Sequence, residues 1–161
     1  MKRFTPTAVA LFVLIGSASA IDVPDMKEGL WNLRMVSSTP GQKDDVSSYS
    51  LCRDHAYDQR AKVIADNATK SCSNIADTSS GGKRYLNMTC SVAGSTLTSK
   101  AVITSKGDTY FRTETATTYS PALYGQTQSN MVQEQTWVSA CPAGMAPGDR
   151  KMADGSIQHH R

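Results

Sequence analysis

The chain is 161 residues long, the size of one domain with one core, and its 17 basic and 14 acidic residues give a formal net charge of +3. Its basic residues form no run longer than the pair Lys83-Arg84, which argues against nucleic acid or an anionic membrane surface as a partner. Its four cysteines include no C-x-x-C pair, so the usual zinc and thiol-redox motifs are also excluded.

The first twenty residues have the pattern of a secretory signal peptide. Lys2 and Arg3 form a positive start, residues 4–15 are mostly apolar, and residues 18–20 have the small side chains that signal peptidase reads. We predict cleavage after Ala20, which leaves a net charge of about +1 and no transmembrane segment in the mature chain. An uncleaved membrane anchor is the alternative, but the apolar run is too short to cross a bilayer comfortably. The pattern indicates a periplasmic or secreted protein.

The mature chain begins with two predicted strands. Trp31, Leu33 and Met35 alternate with polar residues, which is the period of a strand that buries one face. A turn signal at residues 39–41 separates this strand from a second candidate at residues 46–51. These two strands are predicted to form the entry to a small sheet.

A helix is predicted to follow the first cysteine and to extend to about residue 70. Asp54 suits the N-cap, and Asp58 suits the positive end of the helix dipole. A narrow apolar stripe at helical spacing consists of Tyr57, Ala61, Ile64 and Ala68. We expect this stripe to pack on the sheet, and the alternative is that it lines a groove for a partner.

The remainder of the chain alternates between Thr-rich apolar runs and turn signals. The turns are predicted at residues 79–82, 93–95, 106–108 and 120–125. This regular spacing predicts a mainly β, α+β fold: a curved antiparallel sheet or partial barrel of about six to eight strands with one inserted helix. We expect one domain over residues 21–148 and a mobile tail over residues 149–161, because the tail lacks periodicity.

The four cysteines of a secreted chain predict two disulfides. Four cysteines allow three pairings, and the sequence leaves all three open. We prefer Cys72 with Cys90, because these residues lie near opposing ends of the hairpin that turns at residues 79–82. Cys52 would then bond Cys141.

No catalytic constellation is evident in the sequence. His55 is the only histidine before the tail, and no Gly-x-Ser-x-Gly elbow accompanies it, so a polar first-turn residue is the preferred interpretation. Arg112, Glu114 and Glu134 have the same strand parity and would form either a surface charge cluster or one wall of a cavity. Paired carboxylates for glycoside chemistry need opposed placement, which a sequence does not reveal.

A metal site in the tail is a weaker alternative. Met145, Met152, His159 and His160 are the thioether and imidazole groups that bind copper in an oxidising compartment. Their spacing matches no known motif, so we predict no cofactor and no metal, and treat these residues as scattered positions of a mobile tail.

Several short motifs together resemble a known family. They are Glu28-Gly29-Leu30-Trp31, Thr39-Pro40-Gly41, the cysteines Cys52, Cys72 and Cys90, Gly107-Asp108-Thr109-Tyr110, Trp137, Cys141-Pro142 and Met145-Ala146-Pro147-Gly148-Asp149. This set looks like the domain-of-unknown-function 3617 family of bacterial envelope proteins, over residues 26–149. The resemblance implies a secreted or periplasmic bacterial protein. It implies no activity and no functional residues.

Three functions remain open on these grounds. The preferred hypothesis is a non-catalytic module that binds a small apolar ligand or acts as an accessory protein, since such sheets often leave an apolar mouth. The alternative is an envelope protein–protein interaction module that uses a strand edge or the tail. Catalysis ranks third because no constellation of reactive residues supports it.

Overall fold

A computed structural model of the protein describes residues 25–159. The predicted signal peptide and His160 lie outside the described residues. The strands are β1 (Gly29–Ser38), β2 (Asp45–Arg53), β3 (Cys72–Ser80), β4 (Lys83–Val92), β5 (Ser95–Lys106), β6 (Tyr110–Leu123), β7 (Gln126–Ser139), β8 (Arg150–Met152) and β9 (Ile157–Gln158). One α-helix, α1 (His55–Ala68), continues into a short 3-10 turn at Thr69–Ser71.

All nine described strands belong to one antiparallel sheet in the order β3-β4-β5-β6-β7-β1-β2-β8-β9. The edge strands β3 and β9 do not pair with each other, so the sheet is open. The mainly β class with one inserted helix is therefore confirmed, and the strand count slightly exceeds the predicted six to eight. The difference comes from β8 and β9, which lie in the segment predicted to be a mobile tail. β8 pairs with β2, where Arg150 lies opposite Leu51.

The tight hairpin between β3 and β4 shows how local chemistry sets the register. Gly81 and Gly82 both have positive φ, +59° and +72°, which a two-residue hairpin turn of the type I′ class requires. Ser80 consequently lies opposite Lys83, and a register shift between Ser73 and Ala76 then brings Cys72 opposite Cys90 at the other end of the hairpin. Disulfides join Cys72 to Cys90 and Cys52 to Cys141, so the chain contains the two bridges that its cysteine count predicted.

The core is centred on β1. Trp31 is fully buried and packs with Met26, Leu33, Leu51 and Phe111. The indole N–H of Trp31 donates to the carbonyl of Lys27 at 2.8 Å, so the only polar atom of that side chain is satisfied. The neighbouring strand β2 contributes Leu51 from the same face, and Phe111 reaches that face from β6, on the far side of β7.

The helix carries the chain across the sheet from β2 to the far edge at β3. Asp54 is its N-cap, as predicted: its carboxylate accepts a hydrogen bond from the N–H of Tyr57 at 2.7 Å. The apolar stripe was predicted to pack on the sheet, and this prediction is wrong for most of the residues in the stripe. No residue of α1 is buried, and Ile64 is 70% exposed. Tyr57 alone in the stripe packs against the core.

No helix within residues 25–159 is long and apolar enough to cross a membrane.

Candidate functional site

An apolar groove lies between α1 and the segment that leads into β8. It has a volume of about 560 Å³, within the range of about 300–1,000 Å³ that is usual for small-molecule sites. We call it the helix groove. Its lining residues are Tyr57, Arg60, Ala61, Ile64, Pro147, Gly148 and Arg150.

The helix wall of the groove results from the rotation of α1 about its axis. Arg53, at the end of β2, donates to the carboxylate of Asp58 from Nε at 2.9 Å and from Nη2 at 2.5 Å. Asp58, Lys62 and Asp66 form a row on this side of the helix, and all three are partly buried, whereas Ala61 and Ile64 are exposed. The apolar stripe lies about 100° further round the helix, because successive residues are about 100° apart. It therefore faces sideways into the groove rather than down onto the sheet.

The opposite wall is held by backbone hydrogen bonds to β2. Gly148 N–H donates to the carbonyl of Cys52 at 2.8 Å, and Cys52 N–H donates to the carbonyl of Asp149 at 3.0 Å. The carboxylate of Asp149, only 3% exposed, accepts the N–H of Ala146 at 2.8 Å. The disulfide between Cys52 and Cys141 anchors the same segment. The wall is consequently pre-formed, which reduces the entropy lost when a ligand binds.

The charged side chains in the lining of the groove are both arginines. Arg60 lies on the helix wall and Arg150 on the wall formed by β8. The guanidinium carbon of Arg150 lies 5.1 Å from the centroid of the Tyr49 ring, a distance typical of a cation–π contact. Its Nε is shielded from solvent and has no hydrogen-bond partner among the described residues. The groove therefore combines an apolar stripe with two cationic side chains.

His55, the candidate for acid–base chemistry, forms a pair with Glu28 at the start of α1. Its Nδ1 lies 2.6 Å from the Glu28 carboxylate, and both side chains are more than half exposed. The hydrogen bond to Glu28 raises the pKa of His55. The pKa of Glu28 is lowered, first by the backbone N–H of His55 and then by its ring. This arrangement ties the segment before β1 to the helix terminus and lies apart from the lining of the groove.

The charged residues predicted on β6 and β7 form a surface cluster. Arg112 donates to Glu114 from Nε at 2.7 Å and to Glu134 from Nη1 at 2.7 Å, and these bonds raise the pKa of Arg112. Tyr110 adds a weaker bond to Glu134 at 3.3 Å. The structure does not bring His55 to this cluster, because His55 pairs with Glu28. Of the two interpretations left open by the sequence, the surface charge cluster fits the observed contacts, and Glu134 also borders a shallow depression.

The described thioether and imidazole residues considered for copper have different surroundings. Met145 is buried, Met152 belongs to β8, and Nδ1 of His159 lies 2.9 Å from the carboxylate of Asp149. Residues 25–159 contain no group of three or more His, Cys, Asp or Glu side chains that could hold a metal ion.

The polar side of the sheet has a second depression of about 440 Å³. It is shallow and is lined mainly by polar side chains, among them Asn32, Arg34, Ser48, Glu134 and Lys151. Its apolar surface is smaller than that of the helix groove, and apolar contact area is the source of most of the affinity of a small-molecule site. The helix groove is therefore the stronger candidate.

The sequence pattern predicted the helix wall of the groove but not the opposite wall. The stripe of Tyr57, Ala61 and Ile64 was recognised, with a partner groove as the less favoured alternative. Pro147 and Arg150 carried no functional signal, because they lie about 85 residues further along the chain in a segment without periodicity.

Comparison with known proteins adds a family but no activity. No curated protein and no solved structure matches the chain. A family model described as "Protein of unknown function (DUF3617)" matches residues 26–141, which includes β1 to β7 and all four cysteines. Because this match extends over more than half of the chain, the protein belongs to the DUF3617 family.

Proposed function

We propose that the protein is a non-catalytic binding module of the bacterial envelope that takes a small ligand with an apolar part in the helix groove. The observation that carries this proposal is the exposed stripe of α1, which faces a pre-formed wall instead of packing on the sheet. Exposed apolar side chains that line a concavity are more often functional than exposed apolar side chains scattered singly.

The envelope location is part of the proposal and has two supports. The two disulfides fit an extracellular or periplasmic protein, because such bonds persist in oxidising compartments. The first twenty residues match the secretory pattern, with cleavage proposed after Ala20. Denatured intact mass tests both points, since cleavage removes residues 1–20 and two bridges remove four hydrogens, about 4 Da.

Native mass spectrometry of the protein purified without denaturant tests the binding function. A native mass that exceeds the denatured mass by a discrete amount would reveal a ligand carried from the cell. A variant, Ile64→Asp, places a charge in the groove and should lose that excess. Val63→Asp is the matched control, because Val63 is also exposed on α1, at 59%, but does not line the groove.

A bare native mass would not be sufficient to reject the proposal, so a direct titration completes the test. Calorimetric titration with single-chain C10 amphiphiles below their micelle concentration should show saturable binding to the wild type and to the Val63→Asp variant. Absence of saturable binding to every amphiphile, or equal binding to the Ile64→Asp variant, would refute the groove as a ligand site.

A protein–protein role at the β3 edge is the second candidate. β3 pairs with β4 alone, so one edge of its nine residues is left without a strand partner among the described residues. Such an edge can accept an added strand. A register shift between Ser73 and Ala76 and the positive φ of Asn74, 52°, interrupt the edge, and interruptions of this kind protect edges from pairing. The edge therefore ranks below the groove.

A further inference from the structure

We propose that the helix groove is selective for a single-chain amphiphile with an anionic head group, such as a free medium-chain carboxylate. This inference rests on the proposed binding function and adds the chemical class of the ligand. It commits to one free chain and not to a membrane surface, because the groove is a bounded volume of about 560 Å³ between two walls.

The apolar part of such a ligand has a matching surface. Ala61 and Ile64 are exposed on α1 and line the groove, and Tyr57 extends the stripe toward the core, against which it packs. Pro147 supplies an apolar ring on the opposite wall. A hydrocarbon chain in the groove would remove these side chains from water, at a gain of roughly 25 cal/mol for each Å² of apolar surface buried.

The head group is assigned by charge complementarity. The lining of the groove contains Arg60 and Arg150 and no acidic side chain. The carboxylates next to lining residues in the sequence are engaged in other contacts: Asp58 accepts from Arg53, and Asp149 accepts from the N–H of Ala146. An anionic head group would therefore experience the attraction of two cations without an opposing charge in the lining.

Arg150 is better suited to this role than an exposed lysine would be. Pairing of β8 with β2 fixes its backbone opposite Leu51, and its guanidinium lies against the Tyr49 ring. A guanidinium presents donors in a planar fork that matches the two oxygens of a carboxylate. The Nε of Arg150 has no hydrogen-bond partner among the described residues, and a buried donor without a partner is costly. Because this Nε is closed to solvent, a carboxylate in the groove would instead meet the terminal amino groups of the guanidinium.

Calorimetric titration with two probes of equal chain length tests this selectivity. Decanoate and decyltrimethylammonium would each be titrated below their micelle concentrations into the mature, oxidised protein. We expect saturable binding of decanoate and at least about tenfold weaker binding of decyltrimethylammonium, the scale of one charge-assisted hydrogen bond. Arg150→Gln should lower decanoate affinity about tenfold or more, and Arg60→Gln should lower it by a smaller factor.

Arg34→Gln is the control for net charge, because Arg34 lines the depression on the polar side of the sheet and not the groove. Thermal melting would establish that each variant folds. If Arg150→Gln does not fold, the Arg60→Gln variant still tests the proposal. Equal binding of both probes, with loss of both in Ile64→Asp, would overturn the anionic selectivity and leave the proposed function intact. Equal effects of Arg34→Gln and Arg150→Gln would also overturn it. Absence of binding of either probe would remove the proposed function itself.

Discussion

The guanidinium of Arg53 donates two hydrogen bonds to one carboxylate oxygen of Asp58, at 2.9 Å from Nε and 2.5 Å from Nη2. Arg53 also donates from Nη1 to Gln135 on β7 at 3.0 Å, and its guanidinium carbon lies 5.5 Å from the centroid of the Trp31 ring. These contacts join β2, β7 and the helix above the core. They set the rotation of α1 and thereby direct the apolar stripe toward the groove.

Replacing Asp58 with asparagine should destabilise the protein by about 2 kcal/mol, measured as the free energy of unfolding in urea. Burial raises the pKa of Asp58 even though Arg53 opposes that effect, so the carboxylate itself is costly to keep charged. The loss is expected at Arg53, which is only 8% exposed and would lose its counter-charge.

A matched control for this substitution lies two turns along the same helix. Lys62 and Asp66 form an ion pair of 2.9 Å with spacing i, i+4, and their side chains are 27% and 43% exposed. Asp66→Asn should therefore cost about 0.5 kcal/mol or less. If both variants lose the same free energy of unfolding, burial of Arg53 does not require the charge of Asp58.

The pair of His55 and Glu28 should make stability depend on pH. Because the hydrogen bond to Glu28 raises the pKa of His55, the contribution of the pair is fully present below the ordinary histidine pKa and is lost as pH rises through the raised value. Because the pKa of Glu28 is lowered, chiefly by the His55 N–H, the contribution is also lost as pH falls through that lowered value. The window of maximum effect lies between the ordinary pKa values of the two groups.

Proton NMR titration of the His55 ring measures this coupling directly. In the Glu28→Gln variant the pKa of His55 should fall toward its ordinary value, and the difference in thermal stability between wild type and variant should shrink above neutral pH. An unchanged His55 titration in the variant would contradict the pairing.

Gly29 is a backbone position that a side chain cannot occupy. Its φ is +136°, and an added Cβ would lie 2.2 Å from the carbonyl oxygen of Ser139 and 2.8 Å from Nε1 of Trp137. Gly29→Ala should therefore cost about 3 kcal/mol or more, from backbone strain and the displacement of β7. Gly41→Ala is the control: its φ is +77° but nothing lies within 4 Å of an added Cβ, so a loss of about 1–2 kcal/mol is expected in urea unfolding.

The two disulfides should contribute unequally to stability. Cys52 and Cys141 are 89 residues apart, whereas Cys72 and Cys90 are 18 apart, and loop-closure entropy grows with loop length. Replacing the first pair with serines should cost about 4–5 kcal/mol and the second about 3 kcal/mol. Peptide mapping under non-reducing conditions should yield these two linked pairs, and a peptide that links Cys52 to Cys72 would contradict both the pairing and this ranking.

Local sequence patterns predicted most of the strands, because a period of two residues and glycine-rich turns determine a hairpin without reference to distant residues. Leu86 and Met88 accordingly lie opposite Ala101 and Ser99. β8 could not be predicted in this way. It has three residues, too few for a period to be recognised, and it continues along β2 the backbone pairing that Gly148 and Asp149 begin at Cys52.

The rotation of the helix was the second feature that pattern reasoning missed. Hydrophobic periodicity identifies an apolar stripe but does not determine which part of the protein packs against it. The deciding contact is the polar bond between Arg53 and Asp58, and Asp58 also had a sufficient explanation from the helix dipole. The other wall of the candidate site depends on the long-range contacts of Gly148 and Asp149 with Cys52, so the sequence could indicate the helix side of the groove and not its arginine at residue 150.

The position of β1 between β2 and β7 has a consequence for how the chain acquires its structure. β2 follows β1 immediately, but β7 begins at Gln126, almost one hundred residues later. As the polypeptide emerges from its N-terminus, β1 therefore keeps one edge without its strand partner until most of the sequence has arrived. Non-local pairing of this kind slows folding. A product that stops before β7 would retain Trp31 beside an open strand edge, the combination that promotes aggregation.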